Sequence, residues 1–165
     1  MIIMTQHFIK LLFLSSLNKI GILLLIASVF LSCNTPEIAV NKYDTIQGIL
    51  QDSLKVKPYD KLLVLTETGC LGCNKSFAYL IEGMLNSDAL VVVTATGTSV
   101  DISEFSEDKY DNVIYDYKNY FKRNNILENS GAIFLSENNV DTIISIEAKG
   151  IEEQLRYIQN NVLDN

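Results

Sequence analysis

The stretch KLLVLTETGCLGCNKSFAYLIEGML, Lys61–Leu85, contains the change of period that decides the fold. Its first six residues, Lys61 to Thr66, form a short apolar run bounded by polar residues, as in a buried strand. Further on, Phe77, Leu80, Ile81, Met84 and Leu85 recur at three- and four-residue steps, which predicts a helix with one apolar face. Between the two lie Cys70 and Cys73, spaced C-x-x-C. That spacing by itself is compatible with a redox couple, half of a metal site or a local structural staple.

Working outward, Ala89 to Thr96 (ALVVVTAT) is apolar and β-branched and reads as a second buried strand. Upstream, Tyr43, Ile46, Ile49, Leu50 and Leu54 predict an amphipathic helix over Asn41 to Lys55, ended by Pro58. Downstream, the polar and acidic stretch 97–112 reads as a loop with room for one short helix. Val113, Tyr117, Tyr120 and Phe121 fall on one helical stripe, so a helix is expected across 113–127, its tyrosine hydroxyls turned outward. Next come hairpin signals: a strand over Ala132–Ser136, a turn at Glu137-Asn138-Asn139, and a strand over Asp141–Glu147. Ile151, Leu155, Ile158 and Val162 define a last helix after Gly150. The expected class is α/β, with a central mixed sheet of about four strands and an N-terminal helix.

The cysteines must also be read against their compartment. The chain opens MIIMTQHFIKLLFLSSLNKIGILLLIASVFLSCN, with Lys10 and Lys19 as the only charges before the apolar run Ile20 to Leu31. A dozen residues is short of the ~20 needed to span a bilayer, and suits the hydrophobic core of a secretory signal. The run ends in Leu31-Ser32-Cys33, which resembles a bacterial lipoprotein signal, whose cysteine is lipidated and becomes the new N-terminus. A second reading is an uncleaved anchor helix lengthened by Phe8 to Leu14. Either way the remainder is exported. The expected organisation is a signal peptide over 1–32, a lipid-proximal tether over 33–41 and a folded domain over 42–165.

The signal holds two of the 13 Lys and Arg and none of the 20 Asp and Glu; the remaining 11 bases and 20 acids leave the exported part at −9. That balance argues against nucleic acid as a partner and against electrostatic docking on anionic lipid. Membrane attachment is expected through acyl chains on Cys33. The only histidine, His7, falls inside the signal, so the exported part is without Ser-His-Asp or Cys-His catalysis. With Cys33 lipidated, Cys70 and Cys73 supply half of a four-cysteine zinc site; zinc would need a second copy of the chain or carboxylate ligands. There is no phosphate-binding or dinucleotide glycine motif. No metal and no cofactor is therefore expected.

Strand, C-x-x-C helix, strand, helix, hairpin and terminal helix together resemble the thioredoxin fold over about Lys61 to Leu163. The cysteines fall where that family keeps its active site. The resemblance implies a three-layer α/β/α sandwich and thiol–disulfide exchange, with Cys70 as nucleophile and Cys73 as resolving thiol. It also implies substrate contacts from Gly69, Leu71 and Gly72 around the cysteines, and from Ser130 and Gly131 on the loop that would face them. Cysteine-containing exported proteins, or another thiol–disulfide oxidoreductase, are the implied partners. The physical basis is that a thiol in the first turn of a helix sits among unpaired N–H groups, which favour its thiolate. A cysteine three residues on returns to the same side of the helix.

The chain departs from the family pattern in three places. Gly69 stands where thioredoxins carry Trp, and Val64 stands where they bury an acid; Glu67 is the nearest carboxylate. Asn129-Ser130-Gly131 replaces the segment with the cis-proline, since Pro36 and Pro58 are the only prolines. A non-enzymatic alternative is an envelope lipoprotein that uses the fold as an interaction module. Cys70–Cys73 would then be a structural disulfide, and the acidic segment Asp101–Asp111 one contact surface.

Overall fold

A computed structural model describes residues 41–163. The signal, Cys33 and the tether up to residue 40 lie outside the described residues. Helix α1, Lys42–Gly48, starts at Asn41, whose side-chain oxygen accepts from the Tyr43 N–H at 3.1 Å. It widens into a π-helical turn, Ile49–Ser53, and ends before Lys55, which has φ +60°. Ile46, Ile49 and Leu50 are buried, as the spacing predicts.

Strand β1, Lys61–Leu65, pairs in parallel with β2, Leu90–Val93, through helix α2, Leu71–Glu82. Residues 62–65 and 91–93 are fully buried, so both strands are covered on both faces, which explains their unbroken apolar runs. Strand β4, Gly131–Ser136, runs antiparallel to β1, and β5, Asn139–Ser145, antiparallel to β4. Glu137 and Asn138, at φ +39° and +68°, make the two-residue turn between them, a geometry that matches strand twist.

The sheet has five strands, in the order β3-β2-β1-β4-β5, where about four were expected. The extra one is β3, Val113–Tyr115, parallel to β2. The helix expected across 113–127 is thereby corrected to this strand plus a single turn, α3, Tyr120–Arg123. Val113 and Tyr115 pack on one side of the sheet and Ile114 on the other, so side-chain alternation replaces the helical stripe. Buried Asp116 ends the strand and accepts from the N–H groups of Lys118 (3.1 Å) and Tyr120 (2.6 Å), which starts α3. Tyr117 stacks on Tyr115, ring centres 5.5 Å apart, and stays 83 % exposed.

Helices cover both faces of the sheet. On one, α2 and the last helix, α4, Ile151–Leu163, bury Phe77, Ile81, Ile158 and Val162 against Leu63, Leu65, Val91 and Val93. On the other, α1, its π-turn and α3 bury Ile46, Leu50 and Phe121 against Leu62, Val64, Leu90 and Val92. The architecture is α/β with a mixed sheet between helical layers. The carboxyl end of β1, at its centre, delivers the chain to the cysteines.

The acidic segment 101–111 is tied down along this edge of the sheet. Phe105 and Val100 are buried in the core, and the Tyr115 hydroxyl donates to the Phe105 carbonyl at 2.6 Å. Two β3 backbone donors end on this segment: Val113 N–H on the Tyr110 carbonyl (3.2 Å) and Tyr115 N–H on Glu107 Oε1 (2.7 Å). Glu104 pairs with Lys109 at 3.6 Å. An exposed row of strand donors is a template for unwanted pairing, and here the loop consumes it.

Candidate active site

Beyond Leu65 the β1–β4 ladder continues through a side chain. Ser130 Oγ accepts from the Thr66 N–H at 2.9 Å and donates to the Thr66 carbonyl at 3.1 Å. The Ile146 N–H meets the Ser130 carbonyl at 2.7 Å. Ser130 is fully buried, and its hydroxyl is spent holding β1 to β4. At Gly131 a Cβ would collide with the Ile144 carbonyl of β5, so a glycine is required by the close strand approach. Neither residue offers a side chain to the cysteines. The residue of this loop that lies against the turn before Cys70 is Asn129: its Oδ1 is 2.8 Å from where a Cβ on Gly69 would stand.

Gly69 has φ +90°, so it is needed both for the turn and for the room Asn129 takes. Thr66 and Thr68 stitch the turn together. Their hydroxyls are 2.9 Å apart, the Thr68 N–H donates to Thr66 Oγ1 at 3.2 Å, and the Thr68 hydroxyl donates to the Glu128 carbonyl at 2.7 Å. These bonds fix the 128–130 loop against the approach to Cys70.

Cys70 is the N-cap of α2, with φ −75° and ψ 113°. It forms a disulfide with Cys73 across a Cα–Cα distance of 5.1 Å. The Cys73 N–H points at Cys70 Sγ at 3.3 Å, and the Asn74 N–H closes the first helical bond on the Cys70 carbonyl at 2.9 Å. Cys73 is buried and Cys70 only partly so. Leu71 is 48 % exposed, and a Cβ on Gly72 would meet nothing within 4 Å. The pair thus has an outer sulfur at a helix N-terminus and an inner one beneath it. On reduction, the N–H groups of the first turn favour a thiolate at Cys70.

Val64, where the thioredoxin resemblance would put a buried acid, is fully buried among apolar side chains and carries no charge to the site. Glu67 is bound instead to the loop after β2. It accepts from Thr98 N–H (2.8 Å), Ser99 N–H (3.0 Å), and the hydroxyls of Thr96 (2.7 Å) and Thr98 (3.0 Å). The Ser99 and Thr96 bonds lead in pulling its carboxyl from an ordinary 4.5 to about 2, against a smaller opposing effect of burial. It is a permanent anion near neutral pH and shuttles no proton there.

Two residues of the site were missed by reading the sequence. Asn129 comes close only through the β1–β4 pairing, for which no local signal exists. Asn74 did leave one, since it is the polar member of the row formed by Cys70, Cys73, Phe77, Ala78 and Ile81. Asn74 is 1 % exposed, and its Nδ2 donates to the Thr68 carbonyl at 2.9 Å.

Among the described residues no three His, Cys, Asp or Glu side chains gather as metal ligands, and no helix is long and apolar enough to cross a membrane. No protein-family model, no curated protein and no solved structure matches this chain.

Proposed function

We propose that this chain is a thioredoxin-like thiol–disulfide oxidoreductase of the bacterial cell envelope, held to the membrane by lipid on Cys33. The observation that carries the chemistry is the position of Cys70: it caps α2 as the outer partner of a disulfide, with a backbone N–H aimed at its sulfur. The placement in the envelope rests on the signal-like N-terminus alone.

In the reductive direction the Cys70 thiolate attacks one sulfur of a partner's disulfide. That bond breaks, the other partner sulfur leaves as a thiolate, and a mixed disulfide forms with Cys70. Cys73 then gives up its proton and attacks Cys70 Sγ, which frees the second partner sulfur and restores the Cys70–Cys73 disulfide. The partner gains two electrons and two protons, and this chain loses them. Leu71 and Gly72, open to solvent, with Gly69 and the partly exposed Asn129, form the surface a substrate would meet; Ser130 and Gly131 are buried beneath it and only support the loop.

The interaction-module reading receives less support, because Glu104 and Glu107 of its acidic segment are engaged within the molecule.

The test is insulin reduction, or exchange with a small dithiol, by the purified exported domain. Turnover is expected with the native cysteines and none with Cys70→Ser, while Cys73→Ser should accumulate a mixed disulfide. A disulfide inert to exchange, or a potential well below roughly −300 mV, makes the pair structural and overturns the proposal.

A further inference from the structure

The two edges of the sheet are finished differently. At β3 the outward N–H groups of Val113 and Tyr115 are taken by the segment 101–111. At β5, Asn139–Ser145, no segment does this. The Ile146 N–H bonds to the Ser130 carbonyl, so Ile144 and Thr142, at two-residue steps, also turn their main-chain groups to β4. Ile143 and Ser145 therefore turn theirs outward, and no partner among the described residues takes them. The register is regular from Thr142 to Ser145, past the irregularity at Phe134/Leu135. The strand holds no proline and no lysine, two residues that blunt an edge.

Backbone, side chains and charge together define what this edge accepts. A row of outward N–H and carbonyl groups selects an extended segment, which adds as a sixth strand. Half-buried Ile143 packs toward the α1 layer and half-buried Ile144 toward the α2–α4 layer, so apolar side chains of that segment find a neighbour on either face. Glu137, Asp141 and Glu147 are exposed on the strand and at its ends, and residues 137–148 contain no cation. Opposite charges paired across strands are favourable and like charges are not. The segment that fits is therefore apolar and basic, whereas a second copy of this chain would bring the same three carboxylates. The edge also leads toward the cysteines. Ser145 Oγ accepts from Asn129 Nδ2 at 3.5 Å, and Asn129 Oδ1 lies 2.8 Å from where Gly69, one residue before Cys70, would carry a Cβ.

We infer that β5 is the docking edge for the redox partner: an extended, apolar and basic segment of that protein pairs with Ile143 and Ser145 and carries its cysteine past Ser145 to Cys70. The inference rests on the oxidoreductase reading for the identity of the partner, but the pairing is measured without turnover.

The probes are two short synthetic peptides of alternating valine and lysine, one with a cysteine at its N-terminal end and one at its C-terminal end. Each cysteine is activated as a thiopyridyl disulfide. In the reduced Cys73→Ser exported domain, a compact unit in its own right, the Cys70 thiolate attacks the peptide sulfur. Pyridinethiolate leaves, and the peptide stays on as a mixed disulfide. Hydrogen exchange is then followed at the amides of Ile143 and Ser145. With one of the two peptides both amides should slow by roughly three- to tenfold, the worth of a hydrogen bond, while the Val113 amide on the other edge keeps its rate. Glutamate in place of each lysine should remove most of that protection. Absence of protection with both peptides, or equal protection by the glutamate peptides, overturns the inference. So does protection in the domain alone that rises with protein concentration, which would give the edge to a second copy. Because the peptide is loaded chemically, edge protection in a domain inert toward insulin removes only the oxidoreductase reading. Insulin reduction without edge protection removes only the docking edge.

Discussion

Glu67 and Glu107 are both carboxylates that accept backbone N–H groups, from partners about thirty residues away for Glu67 and eight for Glu107. Glu67 takes four hydrogen bonds from Thr96, Thr98 and Ser99 and joins the turn before Cys70 to the loop after β2. Glu107 takes a single one, from Tyr115, and closes the β3 edge. Near the cysteines the backbone is set by converging constraints: a left-handed glycine, a hydroxyl that replaces a ladder bond, and a saturated carboxylate. At the β3 edge the loop is instead held by buried Phe105 and Val100, and the carboxylate only finishes the cover. Both loops are polar in composition, yet their polar groups find partners within the molecule.

Three substitutions break this contrast, in descending size of effect. Gly69→Ala should be the most damaging, because it forces a side chain into φ +90° and against Asn129. We expect about 2–3 kcal/mol lost in denaturant unfolding, together with slowed disulfide exchange. Unchanged stability would show that the turn has another conformation open to it.

Glu67→Gln comes next, at about 1–2 kcal/mol after allowance for partial solvent screening. Its pH dependence is the sharper measurement. The folded carboxyl titrates at about 2, below its ordinary 4.5, so its stabilisation is complete above 4.5 and is lost as pH falls toward 2. The stability gap between wild type and Glu67→Gln should hold from pH 7 to 5 and close below. A gap constant down to pH 2 would mean that the hydrogen bonds do not depend on the charge.

Glu107→Ala should have the smallest effect, about 0.5–1 kcal/mol, with disulfide exchange untouched. It also bares the Tyr115 N–H on the sheet edge, so any association at high concentration in light scattering should appear with this variant first. If Glu107→Ala costs more than Glu67→Gln, the ranking of the two carboxylates is reversed.

Much of the central unit was legible in the sequence. Lys61–Leu65, Leu90–Val93 and the helix between them follow from two apolar runs and one clean helical stripe, features that burial on both faces imposes directly. The β4–β5 hairpin was legible for the same reason, its turn differing by a single residue. Strand β3 was not, because Val113, Tyr117, Tyr120 and Phe121 happen to share a helical spacing. What overrides that spacing is non-local: β2 offers an open edge, and Asp116 and left-handed Asn119 stop the chain from coiling. The site divides along the same line. The cysteine pair at the head of its helix could be read locally, though not which of its possible uses it has. The commitment of Ser130 to Thr66, and the approach of Asn129, depend on residues some sixty positions apart in the chain.

Among the described residues, strand β1 is the only strand paired in parallel on one side and antiparallel on the other, and its residues 62–65 are fully buried. In the hierarchy of local openings such a strand separates last, since freeing it means undoing both neighbours at once. Leu71 and Gly72, beside the first cysteine, are by contrast exposed, Leu71 to 48 %. The cysteine pair is thus attached to a strand buried on both faces, next to residues open to solvent. On the proposed reading, a partner would reach the sulfur of Cys70 without the strand behind it having to open.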